Sequence, residues 1–302
     1  MEKGTTKKHK FLALFSVLRG YNILLLAIAQ YLAAIFVFTV DQTLKELFFD
    51  WHLHLVVLSS VSVVSAGYII NDFYDISIDA INRPVKTQIG NWLSQTTRLK
   101  VYFTLNALAV FLSMSISWRA ALFFSGYIFL IWFYSHKLQK YPLVRIISIT
   151  VLSVFPFFAV FVYYENVSEL IIIHGFYLSL LILIKELIKD FKRAKGAVLT
   201  NTDTMVSKYG EYRIKIYLYI LLVLVVIPTC FLLQFPEIGQ MRYYFYASII
   251  WIPLFFICLY KARQVKHYFL LHNLLRFILV IGVFSFALVD TSVLLIRILN
   301  RY

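Results

Sequence analysis

The chain has 302 residues, of which 61% are hydrophobic, 18% aromatic and only 15% charged, and its mean hydropathy is +0.78. Soluble globular domains carry about 45–50% apolar and about 25% charged residues, so that class is excluded. The formal net charge of +14 is first a matter of membrane topology and anionic lipid, and it implies no nucleic-acid partner.

Apolar stretches of spanning length cover residues 18–39, 53–70, 101–117, 120–134, 146–164, 170–187, 216–233, 243–260 and 274–296. The expected fold is an all-α integral membrane bundle of about nine transmembrane helices, a single polytopic domain over residues 1–302. Basic residues collect in the N-terminal segment 1–17 and in the connections 71–100, 137–145, 185–215 and 261–276. The alternate connections, 41–50, 165–169 and 236–242, are acidic or nearly bare. That asymmetry puts the N-terminus and the basic connections in the cytoplasm, at an inner or plasma membrane; Arg297 and Arg301 run slightly against it. The first apolar run is too long for a signal peptide and reads as an uncleaved span.

The first span opens with Arg19, Gly20, Tyr21 and Asn22. An Asn just inside an apolar helix needs partners, either another helix or a ligand. The second span runs directly into Asn71-Asp72-Phe73-Tyr74-Asp75-Ile76-Ser77-Ile78-Asp79, followed by Asn82, Arg83, Pro84 and Lys86. On a continued helix Asp72, Asp75 and Asp79 share one face within about 60°. Carboxylates so close repel one another and the helix C-terminus, so a cation between them is expected. Oxygen ligands at a water boundary favour Mg²⁺, which takes one or two protein carboxylates and completes its shell with water and phosphate. Arg83 and Lys86 stand ready to neutralise the triad or to hold an anion beside the metal. Pro84 ends the helical register.

The fourth span ends in Tyr134, Ser135 and His136, part of an aromatic excess beyond what interfacial belts require. Rings facing a dry cavity would suit an isoprenoid tail and stabilise an allylic cation. The sixth span ends in Lys185-Glu186-Leu187-Ile188-Lys189-Asp190-Phe191-Lys192-Arg193, a second acidic site with Glu186 and Asp190 at i and i+4. Acidic sites ending the second and sixth spans hint at two four-helix halves plus a ninth helix. Cys230 and Cys258 sit alone in separate spans and read as small buried hydrophobes. The His residues show no metal-binding spacing. Asp290, in the last span, is too costly there to be unpaired.

Asn71-Asp72-x-x-Asp75-x-x-x-Asp79-x-x-Asn82-Arg83-Pro84 resembles the first aspartate-rich motif of the UbiA superfamily of intramembrane prenyltransferases. Arg19-x-x-Asn22 is similar to its first-helix signature and Tyr134-Ser135-x-x-Leu138 to its fourth. Lys185-Glu186-x-x-Lys189-Asp190 resembles the start of the second aspartate-rich motif, and 204–210 the stretch that follows it. The resemblance implies helices around a central cavity, with Mg²⁺ between two acidic motifs holding an isoprenyl diphosphate. Ionisation gives an allylic cation that a lipophilic or aromatic acceptor captures. By that resemblance Asp72, Asp75, Asp79 and Asp190 are the metal ligands, and Asp72, Asp75 and Asp190 the catalytic ones. Asn22, Asn71, Asn82, Arg83, Lys86, Tyr134, Lys189, Lys192 and Arg193 bind substrate, from two active-site loops at 71–100 and 185–215.

The second motif departs from the family pattern, with Lys192, Arg193 and Ala197 where further acids are usual; Arg145-Ile146 replaces a usual Gly-Asn. Three readings follow: the basic segment replaces one metal as a diphosphate clamp; the chain binds prenyl diphosphate or lipid with little turnover; or Asp203 folds back as the missing ligand. The leading expectation is Mg²⁺-dependent prenyl transfer to an aromatic or glycerol-phosphate-type acceptor.

Overall fold

The computed structural model describes residues 7–38, 44–82, 84–165, 168–199 and 203–289. Arg83, Asp290, Arg297 and Arg301 lie outside the described residues, as does the side chain of Asn82. All described elements are helical. They run α1 (Lys7–Val17), α2 (Gly20–Ala33, continuing as a π-helical segment Ala34–Phe38), α3 (Leu44–Phe49), α4 (Trp51–Tyr74), α5 (Ile76–Asn82), α6 (Pro84–Gly90), α7 (Gln95–Met114) and α8 (Trp118–His136). Then come α9 (Pro142–Tyr164), α10 (Glu169–Leu199), α11 (Met205–Tyr209), α12 (Glu211–Leu232), α13 (Arg242–Lys261) and α14 (Val265–Ser285).

Seven spans are long and apolar enough to cross a membrane: Gly20–Phe38, Trp51–Tyr74, Pro142–Tyr164, Glu169–Ala194, Glu211–Leu232, Pro236–Lys261 and Val265–Leu288. The nine expected are therefore seven by length and composition among the described residues. The other two candidates, α7 and α8, have 20 and 19 residues. Gln95, Arg98 and Lys100 dilute the apolar content of α7, and Arg119 and His136 that of α8. Both still pack in the bundle, against α4 and against each other. Helix starts are marked by caps: Asp50 accepts from the Leu53 amide, Ser94 from Thr97 and Ser117 from Ala120.

Small side chains on α4 let its neighbours approach closely. Ser59, Ser60, Ser65, Ala66 and Gly67 are buried, and a Cβ on Gly67 would come within 2.9 Å of Ile131 on α8. The apolar core has two main parts. One joins Ala33, Val56, Ala109, Phe124 and Val160, from α2, α4, α7, α8 and α9. The other joins Leu181, Ile188, Leu218, Phe255 and Leu275, from α10, α12, α13 and α14. The fifth long helix, α9, thus contributes Leu152, Ala159 and Val160 to the first part and Ile146 to the second. The halves meet where α10 packs on α5 and α9, and where α14 packs on α2.

Two expectations are corrected. Cys230 and Cys258 are exposed on the outer surface of α12 and α13 rather than buried. Residues 185–199 form no loop; they continue α10 as one 31-residue helix. The 71–100 segment is likewise mostly helical, made of the end of α4, then α5, α6 and the start of α7.

Pro156 lies inside α9, so the Leu152 carbonyl has no amide to receive from position 156. The Tyr127 hydroxyl on α8 fills that role, donating to Leu152 O at 2.9 Å. Gln30 on α2 uses its amide nitrogen to reach Pro156 O (2.8 Å) and Ser60 Oγ (2.9 Å), so one side chain ties α2, α4 and α9 together. Tyr127→Phe is expected to lower stability by about 1 kcal/mol. In a Pro156→Ala background the restored amide supplies Leu152 and that cost should largely vanish. Thermal unfolding of the four detergent-purified proteins measures the coupling.

Candidate active site

The acidic segment after α4 does not continue as one helix. Asp75 leaves helical geometry at φ −93°, ψ 7° and caps α4, and α5 starts at Ile76. The single-face arrangement of Asp72, Asp75 and Asp79 expected on a continued helix is therefore replaced by a kinked one. The clustering survives because cations fold over it. Lys86 Nζ donates to Asp72 Oδ1 at 2.8 Å and lies 3.8 Å from Asp79 Oδ2. Arg98 Nη1, from α7, donates to Asp72 Oδ2 at 3.1 Å. Arg193 Nη2, from α10, donates to Asp75 Oδ2 at 2.9 Å, and Asn71 Nδ2 donates to the same oxygen at 3.0 Å. Asp75 and Asp79 are buried.

On α10 the two acids serve different walls. Glu186 lines the central cavity and is held between Lys189 (2.5 Å) and Lys185 (3.3 Å). Asp190 does not line it. Its Oδ2 receives Arg145 Nη2 from α9 at 2.5 Å and the Met205 amide at 2.9 Å. The chain after α10 does reverse, and Thr204 with Ser207 form a capping box that starts α11. What returns to Asp190 is the backbone of Met205; Asp203 is exposed and does not line the cavity.

The cavity holds about 810 Å³. Its polar end is lined by Arg19, Lys86, Lys185, Lys189, Lys192 and Arg193, and Arg276 lines it from within α14, against only two carboxylates, Asp75 and Glu186. Asn22, Asn71 and Tyr134 line it too, whereas Asp72, Asp79 and Asp190 are not among its lining residues. The interior is apolar, with Leu25, Ala29, Leu152, Leu181, Val280 and Val283 among its walls and the rings of Phe157, Phe269, Phe286, Tyr68 and Tyr177. Arg19 has left-handed backbone (φ 53°) and its guanidinium lies over Tyr68, 4.7 Å from the ring centre. A non-glycine residue in that region is strained, as is common where a side chain must be aimed. Two buried polar atoms on the wall, Gln30 Oε1 and His174 Nε2, have no hydrogen-bond partner.

Among the described residues no three His, Cys, Asp or Glu side chains converge on one point. The donor set still suits a hard cation that arrives with a phosphate ligand, since Mg²⁺ needs only one or two carboxylates. Asp75 and Asn71 at the wall, with Asp72 and Asp79 behind Lys86, are all oxygen donors. In the sequence Arg98 and Arg145 count as topological charge or as a departure, and Lys185 and Glu186 belong to the second acidic motif without a site role of their own. Nor does the sequence single out His272, Asn273 and Arg276 on α14, which line the cavity from inside an apolar span. In the sequence Arg276 closes the basic connection 261–276; in the structure it lies within the span Val265–Leu288.

A helical membrane bundle whose apolar cavity ends in a cationic mouth beside carboxylates is built to hold a lipid-like chain by an anionic head. Comparison with known proteins gives the class its name. The UbiA prenyltransferase family model matches residues 32–273, and the chain belongs to that family: it is a multi-pass membrane prenyltransferase. It is 25% identical over 250 residues to the digeranylgeranylglyceryl phosphate synthase of Saccharolobus solfataricus, covering 79% of this chain and 86% of that one. To the synthase of the same name from Methanosarcina mazei it is 31% identical over 205 residues, covering 65% and 68%. Among solved structures it resembles a digeranylgeranylglyceryl phosphate synthase with a TM-score of 0.69 at 22% identity, covering 92% of this chain and 97% of that one. A UbiA homolog from Archaeoglobus fulgidus bound to DMAPP and Mg²⁺ matches with a TM-score of 0.64 at 17% identity, over 90% and 98%. These two likenesses speak for the fold.

The Arg145–Asp190 pair is buried behind the cavity wall, where removing one partner strands the other charge. Arg145→Met is expected to cost about 3 kcal/mol in thermal unfolding. Arg145→Met combined with Asp190→Leu should recover most of that loss, because no charge is then left unpaired.

Proposed function

We propose that the chain transfers a prenyl group from an isoprenyl diphosphate to a glycerol-phosphate-type acceptor, with Mg²⁺ bound alongside the diphosphate. The observation that carries this reading is the mouth itself: Arg19, Lys86, Lys185, Lys189, Lys192 and Arg193 with two carboxylates, Asp75 and Glu186, on the wall of an otherwise largely apolar cavity of about 810 Å³. An isoprenyl diphosphate has that same division between a polyanionic head and a hydrocarbon tail. The relatives named digeranylgeranylglyceryl phosphate synthase support the glycerol-phosphate acceptor over an aromatic one.

In this reading Arg193, Lys189 and Lys86 turn from their carboxylates to the diphosphate oxygens, with Lys192 and Arg19 beside them. Asp75, with Asp72, Asp79 and Asn71, is then free to hold Mg²⁺, which would supply further charge neutralisation to the leaving group. Asp190 contributes by holding Arg145 and the α11 backbone behind the wall. The reaction breaks the bond between the allylic carbon and the diphosphate oxygen and forms one to the acceptor's hydroxyl oxygen; the hydroxyl proton leaves with the diphosphate. Aromatic faces such as Tyr134 and Tyr68 stabilise positive charge on the allylic carbons, and the apolar walls keep water from capturing them. Asn22 orients polar atoms at the mouth. The basic end of the bundle faces the cytoplasm of an inner or plasma membrane, in accord with its Lys and Arg content.

Membranes containing the chain are expected to transfer label from geranylgeranyl diphosphate to geranylgeranylglyceryl phosphate. Asp75→Ala and Arg193→Ala should each lose about 100-fold or more in kcat/KM. Chelation of Mg²⁺ should abolish transfer and re-addition restore it. Transfer that persists without Mg²⁺, or undiminished activity in Asp75→Ala, would sink the mechanism.

A further inference from the structure

Consecutive cations on α10 serve different walls of the cavity. Arg193 reaches α4, at Asp75. Lys192, about 100° round the helix, reaches α14: its Nζ lies 3.5 Å from His272 Nδ1 and 4.6 Å from the Phe269 ring centre. The α4 wall has carboxylates and, with Arg193 and Lys86, accounts for one anion and its metal. The α14 wall has no carboxylate among its cavity-lining residues, yet it carries His272, Asn273 and Arg276.

Three features single this wall out. His272, Asn273 and Arg276 occupy positions i, i+1 and i+4, which fall within about 100° of one another on the helix. A Lys ammonium only donates, so His272 Nδ1 accepts from it and Nε2 carries the hydrogen; the buried imidazole is thus a donor. Arg276 lies within the span Val265–Leu288 and forms no ion pair among the described residues. A charge within a span, with no counterion among the described residues, is the mark of a ligand path. Directly beyond Arg276 the same face turns apolar, with Leu279, Val280 and Val283 on the cavity. Donors followed by hydrocarbon match a second head and its tail.

We infer that the α14 wall, through Arg276, Asn273 and His272, is the subsite for the phosphate monoester of the acceptor lipid, separate from the diphosphate subsite on the α4 wall. This rests on the prenyl-transfer reading and adds to it the residues that choose a phosphorylated acceptor. Arg276 supplies the charge-assisted contact and Asn273 an amide N–H. Two anionic subsites reached from faces of α10 about 100° apart let its cations serve both substrates and bring acceptor and donor heads into one cavity.

The test is equilibrium binding to the detergent-purified full chain, with three probes: geranylgeranyl diphosphate, geranylgeranylglyceryl phosphate, and the alcohol left when the latter loses its phosphate. The parent protein should bind the phosphate lipid about tenfold or more tightly than the alcohol. Arg276→Gln and Asn273→Ala should remove most of that preference and leave geranylgeranyl diphosphate affinity within about twofold, with Arg276→Lys recovering part of it. Equal binding of phosphate lipid and alcohol by the parent overturns the inference. So does an Arg276→Gln variant that keeps the preference or weakens the diphosphate as much. A parent that binds the diphosphate and still needs Asp75 for transfer, but ignores the acceptor's phosphate, loses this subsite and keeps its prenyltransferase chemistry. Failure to bind the diphosphate at all removes both.

Discussion

Charge balance at the mouth of the cavity governs how this bundle is put together. Burying a carboxylate or an ammonium at a helix end is tolerable only with a partner, and here nearly every partner comes from a different helix. Asp72 at the end of α4 is held by Arg98 of α7, Asp75 by Arg193 of α10, and Asp190 of α10 by Arg145 of α9. The Asp75–Arg193 and Asp190–Arg145 links join α10, of the second apolar core, to α4 and α9. Lipid tails are as apolar as Leu, so hydrophobicity does not favour one helix pairing over another. Directional ion pairs at the polar end supply register that the spans lack.

The same polar residues were the legible part of the sequence. Asn71, Asp72, Asp75 and Asp79 stand out because acids are rare where an apolar span meets basic connections. Lys86 and Arg193 stand out as cations beside them. The break at Asp75 was not legible: no Gly or Pro marks it, and Pro84, nine residues on, drew the boundary instead. Nor was the division of labour between Glu186 and Asp190. At i and i+4 they differ by about 40° around the helix, and that angle decides which one sees the cavity.

The uniformly apolar spans hid most of the rest. Where a helix is hydrophobic all round, no periodicity separates the face toward lipid from the face toward protein. Cys230 and Cys258 therefore read as buried and are exposed. In the sequence Arg276 is one more charge of a basic connection and His272 lacks metal spacing; in the fold α14 packs against α2 and all three of His272, Asn273 and Arg276 line the cavity. Arg98 is a similar case. In the sequence it is one more positive charge on a basic connection; in the fold it is a buried counterion to Asp72.

Lys192 and Arg193 in the second motif change which charges must be balanced at the site. Acids that await a metal repel one another when it is absent; cations that await a diphosphate do the same. Against seven cations on the wall, the carboxylates act as counterions, Asp75 to Arg193 and Glu186 to Lys185 and Lys189. A diphosphate entering under the proposed function takes over those cations. It thereby releases Asp75 from its ion pair at the moment an oxygen donor is needed for Mg²⁺. Binding of the anion and formation of the metal site are then a single exchange of partners. The loss of acids from the second motif becomes tolerable because the first motif's carboxylates serve in both states.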